Sequence, residues 1–545
     1  MAGPTVGGDQ VTHHAWREPG PIWSGTPLRS IADLVDERAR QRPQAVVLHF
    51  EDGVQVTRAQ LAESVREFAD HLAGRIVPGD RVAVAVGNRA EFFVAWLGTL
   101  AAGGVVVQMN PSVGRHDAKH VLADSGARLV VADDAAVAVI GEVRAACPEL
   151  EEVLVVDASR PEPCGLSGFR SGEGVRAALR EWDADAPATI YYTSGTTGAP
   201  KGCVNSEAGI LRYVDLMCRL YRPAADDRLF NPLQFFYGDA IWLFLTALRA
   251  DTRMVSMRRF SVSRFWATVR DTEATILLGI GAIPSLLLTS PPTPDERDHS
   301  VRMALQIGVP VRRHAELVER FGFPWIELYG QAESGLTIGM PAHLADDYTG
   351  TGAIGIPMPE VEVRLVERGR VVGGPGQGEV QVRAPHIMRE YLGRPDATAE
   401  AITDDGWLRT GDRVSRDEHG VHYFLGRIKE IIRRGGENIA PFEVESVLRM
   451  HPDVVDAAVV PVHDALRGEE VMAYVQLRPE ARVSEADLVE FSAGLLAAYK
   501  VPRFVRLRSA EFPRTPSHRI RKSDLTVDGR HQSAGAWDRD AGASR

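Results

Sequence analysis

Short β-branched runs alternate with Ala- and Leu-rich stretches through the first two-thirds of this chain, and that alternation narrows the possible architectures most. Residues 81–86 (RVAVAV), 105–109 (VVVQM) and 128–131 (RLVV) read as strands with helical stretches between them. Near-continuous apolar strands joined by helices are the pattern of parallel sheets covered on both faces. The expected class is therefore α/β, a large N-terminal domain of stacked sheets. Residues 92–107 (FFVAWLGTLAAGGVVV) are the most membrane-like segment, but they number 16 and are interrupted by Gly98, Thr99, Gly103 and Gly104. A bilayer crossing needs ~20 apolar residues. The segment reads instead as a buried helix, a glycine stop and a strand.

Residues 157–188 are rich in Pro, Gly and charge and read as a surface linker, after which a second alternating block begins at Thr189. From Val361 the texture changes to short alternating strands (VEVRLV, GEVQVRA) separated by Gly and Pro turns, which implies a β-rich subdomain. Beyond Gly426 come a hairpin, a helix (PFEVESVLRM) and two further strands (VVDAAVVPV, MAYVQLRP), the outline of a small α+β domain.

Lys and Arg total 62 against 73 for Asp and Glu among 545 residues, a formal net charge of −11. Nucleic acid and anionic membranes reward a basic surface, so neither is expected as a partner. Cys147, Cys164, Cys203 and Cys218 form no CxxC or zinc spacing, consistent with reduced thiols. Residues 1–25 lack a basic start followed by an apolar stretch. A cytoplasmic location is the expectation.

Residues 192–202 (YTSGTTGAPKG) carry the chemistry. Glycines let the backbone turn its N–H groups inward, hydroxyls add donors and Lys201 adds a positive charge, which together form a polyphosphate cradle. The spacing is not that of a Walker A loop: Pro200 stands where a glycine would be, and Gly202 follows the lysine in place of Ser or Thr.

The segment resembles the phosphate loop of the adenylate-forming superfamily, which includes acyl- and aryl-CoA synthetases, luciferases and the adenylation domains of nonribosomal peptide synthetases. Further segments recur in that family's order: residues 328–335 (LYGQAESG), 406–412 (GWLRTGD), 426–445 (GRIKEIIRRGGENIAPFEVE), 499–502 (YKVP) and 513–522 (PRTPSHRIRK). The resemblance implies a flexible N-terminus over 1–25, an adenylation domain over 26–425, a hinge at 426–429, a mobile C-terminal domain over 430–527 and a disordered tail over 528–545.

It also implies roles. Thr193, Ser194, Gly195, Thr196, Thr197, Gly198 and Lys201 match the loop on the β- and γ-phosphates of ATP. Glu333 matches the Mg²⁺ ligand, and Asp412 the acceptor for both ribose hydroxyls. Tyr329 matches the aromatic that stacks on adenine, with Gly330, Gln331 and Ala332 following in the same motif. Gly308, Val309 and Pro310 match the segment on the base's other side. Arg427 resembles a ribose- or phosphate-contacting arginine, Lys429 stands at the hinge position, and Gly435 and Gly436 fit the loop bordering the pantetheine channel. Phe235, Phe236, Tyr237 and Gly281 fall where the acid pocket is expected; Phe236, like nearby Trp242, can equally be core.

Three departures bear on mechanism. Arg519 occupies the position of the family's catalytic lysine, keeping the charge but offering a planar fork instead of a point donor. Lys522, three residues on, reads as a solvated charge. Ala332 removes a hydroxyl normally directed at the α-phosphate, and Phe235 replaces a histidine thought to gate the acyl channel.

The implied activity is that of an ATP- and Mg²⁺-dependent acid:CoA ligase working through an acyl-adenylate, with Lys201, Glu333 and Arg519 as its catalytic residues. The aromatic run favours a small or aromatic acid, and a carrier-protein thiol can stand in for CoA. Two alternatives are an ATP-dependent diazotase that activates nitrite against an aryl amine in secondary metabolism, and a non-catalytic nucleotide-binding protein. Sequence leaves the acid and the oligomeric state open.

Overall fold

The computed structural model describes residue 16 and residues 30–156, 185–193, 200–434, 437–514, 520–526 and 531–542. Within these, the β-branched runs become the parallel core of a 7-stranded sheet. Arg81–Ala85 lies between Val105–Gln108 and Leu129–Ala132, with Glu152–Val155 at one edge; Pro187–Thr193, Lys201–Ser206 and Glu390–Tyr391 complete the other side. A 14-stranded sheet stacks against it. Its parallel run comprises Val46–Phe50, Arg253–Ser256, Arg228–Asn231, Ile276–Ile280, Met303–Ile307 and Trp325–Gln331, and it continues through antiparallel strands into the β-rich part that ends at His422–Arg427. The expected linker at 157–188 falls mostly outside the described residues; its end, Pro187, already belongs to a strand.

The membrane-like segment is a helix, Ala90–Ala101, followed by Gly103 at φ +80 and the strand Val105–Gln108. It is apolar on all sides because it belongs to the core between the sheets: Phe92, Phe93, Val94, Ala95 and Trp96 are each at most 1% exposed. Gly98 serves a close approach, since a Cβ there would sit 2.7 Å from Phe68 on the helix Arg58–Leu72. Among the described residues no helix is long and apolar enough to cross a membrane.

Phe235 departs from expectation. Its ring is 0% exposed and lies between Phe50, Phe92 and Phe93, with ring centroids 6.2, 5.7 and 4.7 Å away. Buried Asn88 turns it inward: its Oδ1 accepts from Phe235 N at 2.8 Å, and its Nδ2 donates to Leu233 O at 2.8 Å and Met257 O at 2.7 Å. Phe235 is core and does not line an acid pocket.

Beyond the turn Ile428–Glu430 a separate 6-stranded sheet forms, centred on the antiparallel pair Val454–Asp464 and Gly468–Leu477, with the helix Pro441–Leu448 packed against it. Within the tail expected to be disordered, Trp537 and Asp538 pair with Val505 and Phe504, and Arg503 holds Asp538 through an ion pair at 3.1 Å. Within the described part of the tail, Trp537 and Asp538 thus form an edge strand, followed by the short helix Arg539–Gly542.

Replacing Phe235 by Ala leaves a cavity among three phenylalanines. We expect a loss of about 3–4 kcal/mol in denaturant unfolding of the N-terminal domain; a loss below ~1 kcal/mol would place the ring outside the core.

Candidate active site

The site assembles at the carboxyl ends of adjacent parallel strands, the usual location of ligand crevices in α/β sheets. Ile276–Ile280 pairs with Met303–Ile307, which pairs with Trp325–Gln331. The first two are each followed by a glycine in the left-handed region, Gly281 at φ +59 and Gly308 at φ +88, and a Cβ on Gly308 would lie 3.9 Å from Gly281. The segment expected to flank the adenine is therefore beside Gly281. Its backbone is pinned by a residue that the motif comparison did not single out: Glu327 accepts from Gly308 N through Oε1 at 2.7 Å and from Val309 N through Oε2 at 2.6 Å. Pro310 then caps the short turn Val311–Arg313. Burial outweighs the two N–H donors and pushes Glu327 up to about 8. A sequence signal existed, because Glu327 lies two residues before Tyr329 and thus shares its face of the strand.

Tyr329 and Gln331, also on that face, converge on Asp412. Tyr329 donates from its hydroxyl to Oδ2 at 2.8 Å, and Gln331 Nε2 donates to the same oxygen at 2.5 Å and to Thr410 O at 3.0 Å. From the other side, antiparallel register sets Arg427 opposite Asp412, with Nε 3.1 Å from Oδ1. Asp412 is 2% exposed. Burial opposes the charge of Arg427, but Asp412, Glu430, Tyr329 and Glu333 more than offset it, so its pKa lies above the ordinary value. Tyr329 is only 7% exposed and belongs to an apolar cluster with Ile338 and Leu408. Its hydroxyl, donating to Oδ2, orients Asp412.

Gly330 allows the strand to fold back on itself, because a Cβ there would lie 2.1 Å from Gly335 O. Ala332 and Glu333 occupy the turn this creates, and Ser334 closes it by accepting from Gln331 N at 3.0 Å. Tyr391 joins Glu333 to Lys201: its hydroxyl donates to Glu333 Oε1 at 2.9 Å, and Lys201 Nζ stands 4.2 Å from its ring centroid. Strand pairing brings these groups together, since Tyr391 is opposite Cys203 and Lys201 is opposite Thr193. Among the described residues no three His, Cys, Asp or Glu side chains converge as a metal site. A lone Glu333 carboxylate suits a magnesium ion that draws its other ligands from substrate phosphates and water.

Phe236 and Tyr237 stay partly exposed, with ring centroids 4.3 Å apart, where the helix Gly238–Arg249 begins, and Trp242 lies edge-on to Tyr213 at 5.8 Å. Lys429 is exposed on the turn between the last strand of the large sheet and the C-terminal sheet. Lys522 is not a solvated charge: it reaches Glu430 at 2.9 Å and Glu445 at 2.8 Å, which satisfies its ammonium and removes it as a stand-in for the catalytic lysine in this arrangement. Ser194, Gly195, Thr196, Thr197, Gly198, Gly435, Gly436 and Arg519 lie outside the described residues.

Comparison with known proteins agrees with this geometry. Residues 35–392 match the family model described as AMP-binding enzyme, and residues 443–519 match AMP-binding enzyme C-terminal domain. A sulfoacetate–CoA ligase of Cupriavidus necator is 32% identical, covering 91% of this chain and 97% of its own length. A crotonobetaine/carnitine–CoA ligase of Citrobacter koseri is 29% identical, covering 92% and 99%. The o-succinylbenzoate CoA synthetase of Bacillus subtilis, solved with its acyl-adenylate intermediate, superposes with a TM-score of 0.80 at 27% identity over 91% of this chain and 98% of that one.

The proton on Glu327 gives a test. Because its pKa is about 8 folded and 4.5 ordinarily, the folded state keeps a proton over that interval which the unfolded state has released. Stability therefore falls as pH rises through it. Glu327→Gln should flatten that fall in thermal melts across the interval; an unchanged pH dependence would contradict the assignment.

Proposed function

The chain belongs to the AMP-binding enzyme family and is an AMP-forming acid–thiol ligase, and from that premise we propose that it activates a small or aromatic carboxylic acid as the acyl-adenylate and passes the acyl group to CoA. ATP, Mg²⁺ and CoA are its cofactor and co-substrates. The observation that carries the reading is the convergence of Tyr329, Gln331 and Arg427 on buried Asp412 beside the Lys201–Tyr391–Glu333 cluster. One group suits ribose hydroxyls and the other suits phosphate oxygens.

In the first half-reaction a carboxylate oxygen of the acid forms a bond to the α-phosphorus as the bond to the β-phosphate oxygen breaks, releasing pyrophosphate. In the second, the thiol sulfur attacks the acyl carbon and AMP leaves. Asp412 accepts the ribose hydroxyls with its carboxylate held in one orientation, and the segment pinned by Glu327 borders the base. Lys201 places positive charge where negative charge develops, supported by the loop that begins at Thr193. Glu333 would hold a magnesium ion, which would supply positive charge against the phosphate oxygens. Arg519 contributes a guanidinium in the catalytic lysine's position, and Lys429 is the pivot about which the C-terminal domain turns between half-reactions. Phe236, Tyr237 and Gly281 border the acid, and their bulk favours a short or flat substrate. The two curated relatives join different acids to CoA, so the acid here is a matter for assay. No observation in the site favours nitrite activation.

Mass-resolved AMP release with ATP, Mg²⁺, CoA and a panel of short-chain and aryl acids tests the reading. It expects equal amounts of AMP and CoA thioester from at least one acid, and AMP without thioester would contradict the acceptor. Lys201→Ala should lower the adenylation rate by about 100-fold. Lys429→Pro should spare adenylate formation and block thioester formation; both half-reactions intact would remove the pivot.

A further inference from the structure

We propose that Tyr391 is a positioning residue whose ring keeps Lys201 and Glu333 apart, so that neither charge is spent on the other before a nucleotide arrives. The inference rests on the ligase reading for the roles it gives those two side chains, and goes beyond it in giving Tyr391 one. Lys201 meets the face of the ring, its Nζ 4.2 Å from the centroid, and Glu333 takes the hydroxyl at the rim, with Oε1 2.9 Å away. Among the described residues no ion pair joins the two, although both flank one side chain.

The ring is held firmly in this place. Tyr391 is 6% exposed and packs with Cys203, Ile338 and Met388. Its segment is laced to the strand Lys201–Ser206 on either side of it, since Arg389 N donates to Val204 O and Leu392 N to Gly202 O, each at 2.8 Å. Met388 N donates to Glu333 O at 2.8 Å, so Glu333 is gripped at its backbone by Met388 and at its carboxylate by Tyr391. Tyr391 N is itself tied to Thr398 Oγ1 at 3.0 Å.

Lys201 and Glu333 are only partly exposed, so water screens them incompletely and opposite charges this near attract. An ion pair sheltered from water is costly to break, whereas an ammonium on an aromatic face is held more weakly. Lys201 can therefore leave the ring for a phosphate. The hydroxyl takes up one oxygen of Glu333 and sets the direction of the other.

Calorimetric titration of the full chain with ATP, first in EDTA and then with excess Mg²⁺, tests this, with circular dichroism to compare folds. Tyr391→Leu removes the spacer and should weaken Mg²⁺-free ATP about tenfold. Adding Glu333→Gln removes the charge that captures Lys201, and should recover most of that loss, by more than Glu333→Gln alone changes the wild type. A ring that served stability only would give no such recovery. Tyr391→Phe keeps the ring and loses the hydroxyl. It should bind Mg²⁺-free ATP about as tightly as the wild type and gain about tenfold less when Mg²⁺ is added. Wild-type affinity in Tyr391→Leu, or a loss there that Glu333→Gln leaves in place, would overturn the proposal. So would a Tyr391→Phe protein whose gain from Mg²⁺ equals the wild type's, which decides the matter even where the Leu variant fails to fold. A wild type that binds no ATP would overturn the ligase reading, and the proposal with it.

Discussion

A single buried carboxylate, Asp412, holds together the parts of this protein that its chemistry needs. Removing a charge from water is costly, and it is tolerated where hydrogen bonds and an opposite charge replace the lost solvent. Tyr329 and Gln331 supply the hydrogen bonds from the last parallel strand, and Arg427 supplies the charge from the strand that leads into the C-terminal domain. The same contacts fix the orientation in which Asp412 can meet a ribose and fasten the β-rich part to the edge of the α/β sheet. The turn Ile428–Glu430, which leads to the C-terminal sheet, follows directly on Arg427.

The second half of the site is built by strand pairing. Lys201 and Glu333 are more than a hundred residues apart, and Tyr391 bridges them because its short strand is added beside Lys201–Ser206. The segment Gly308–Pro310 is set by two glycines that follow adjacent strands and by a Glu327 carboxyl that fills the hydrogen-bonding needs of Gly308 and Val309. Each functional element is an end or a turn of a regular strand, so the large sheet supplies the rigidity that positioning catalysis requires. The C-terminal sheet stands apart across the turn at Lys429, joined to the rest by contacts such as Phe424 against Phe442 at 5.4 Å.

Much of this was legible in the sequence, and the exceptions share a physical cause. Residues 81–86, 105–109 and 128–131 formed strands because β-branched runs bounded by turns have few other stable uses. The ordered motifs singled out Lys201, Glu333, Asp412 and Arg427, and the structure gathers them into the Lys201–Tyr391–Glu333 and Asp412–Arg427 groups. Phe235 was misplaced because a motif position gives no direction to a side chain; Asn88, over a hundred residues earlier, turns it into the core. Lys522 was taken as solvated when Glu430 and Glu445 enclose it. Tyr391 and the edge strand at Trp537 depend on pairings with distant segments, which local periodicity does not encode. Glu327 was the exception that periodicity alone could have found.

The central claim is that Asp412, oriented by its three partners, is what holds the nucleotide. Its most direct test is the affinity for ATP of the wild type and Asp412→Asn by calorimetry, with circular dichroism to compare their folds. Loss of a charge-assisted pair of hydrogen bonds should weaken ATP by about 10- to 100-fold while the fold is retained. An Asp412→Asn protein that binds ATP as tightly as the wild type would contradict the account.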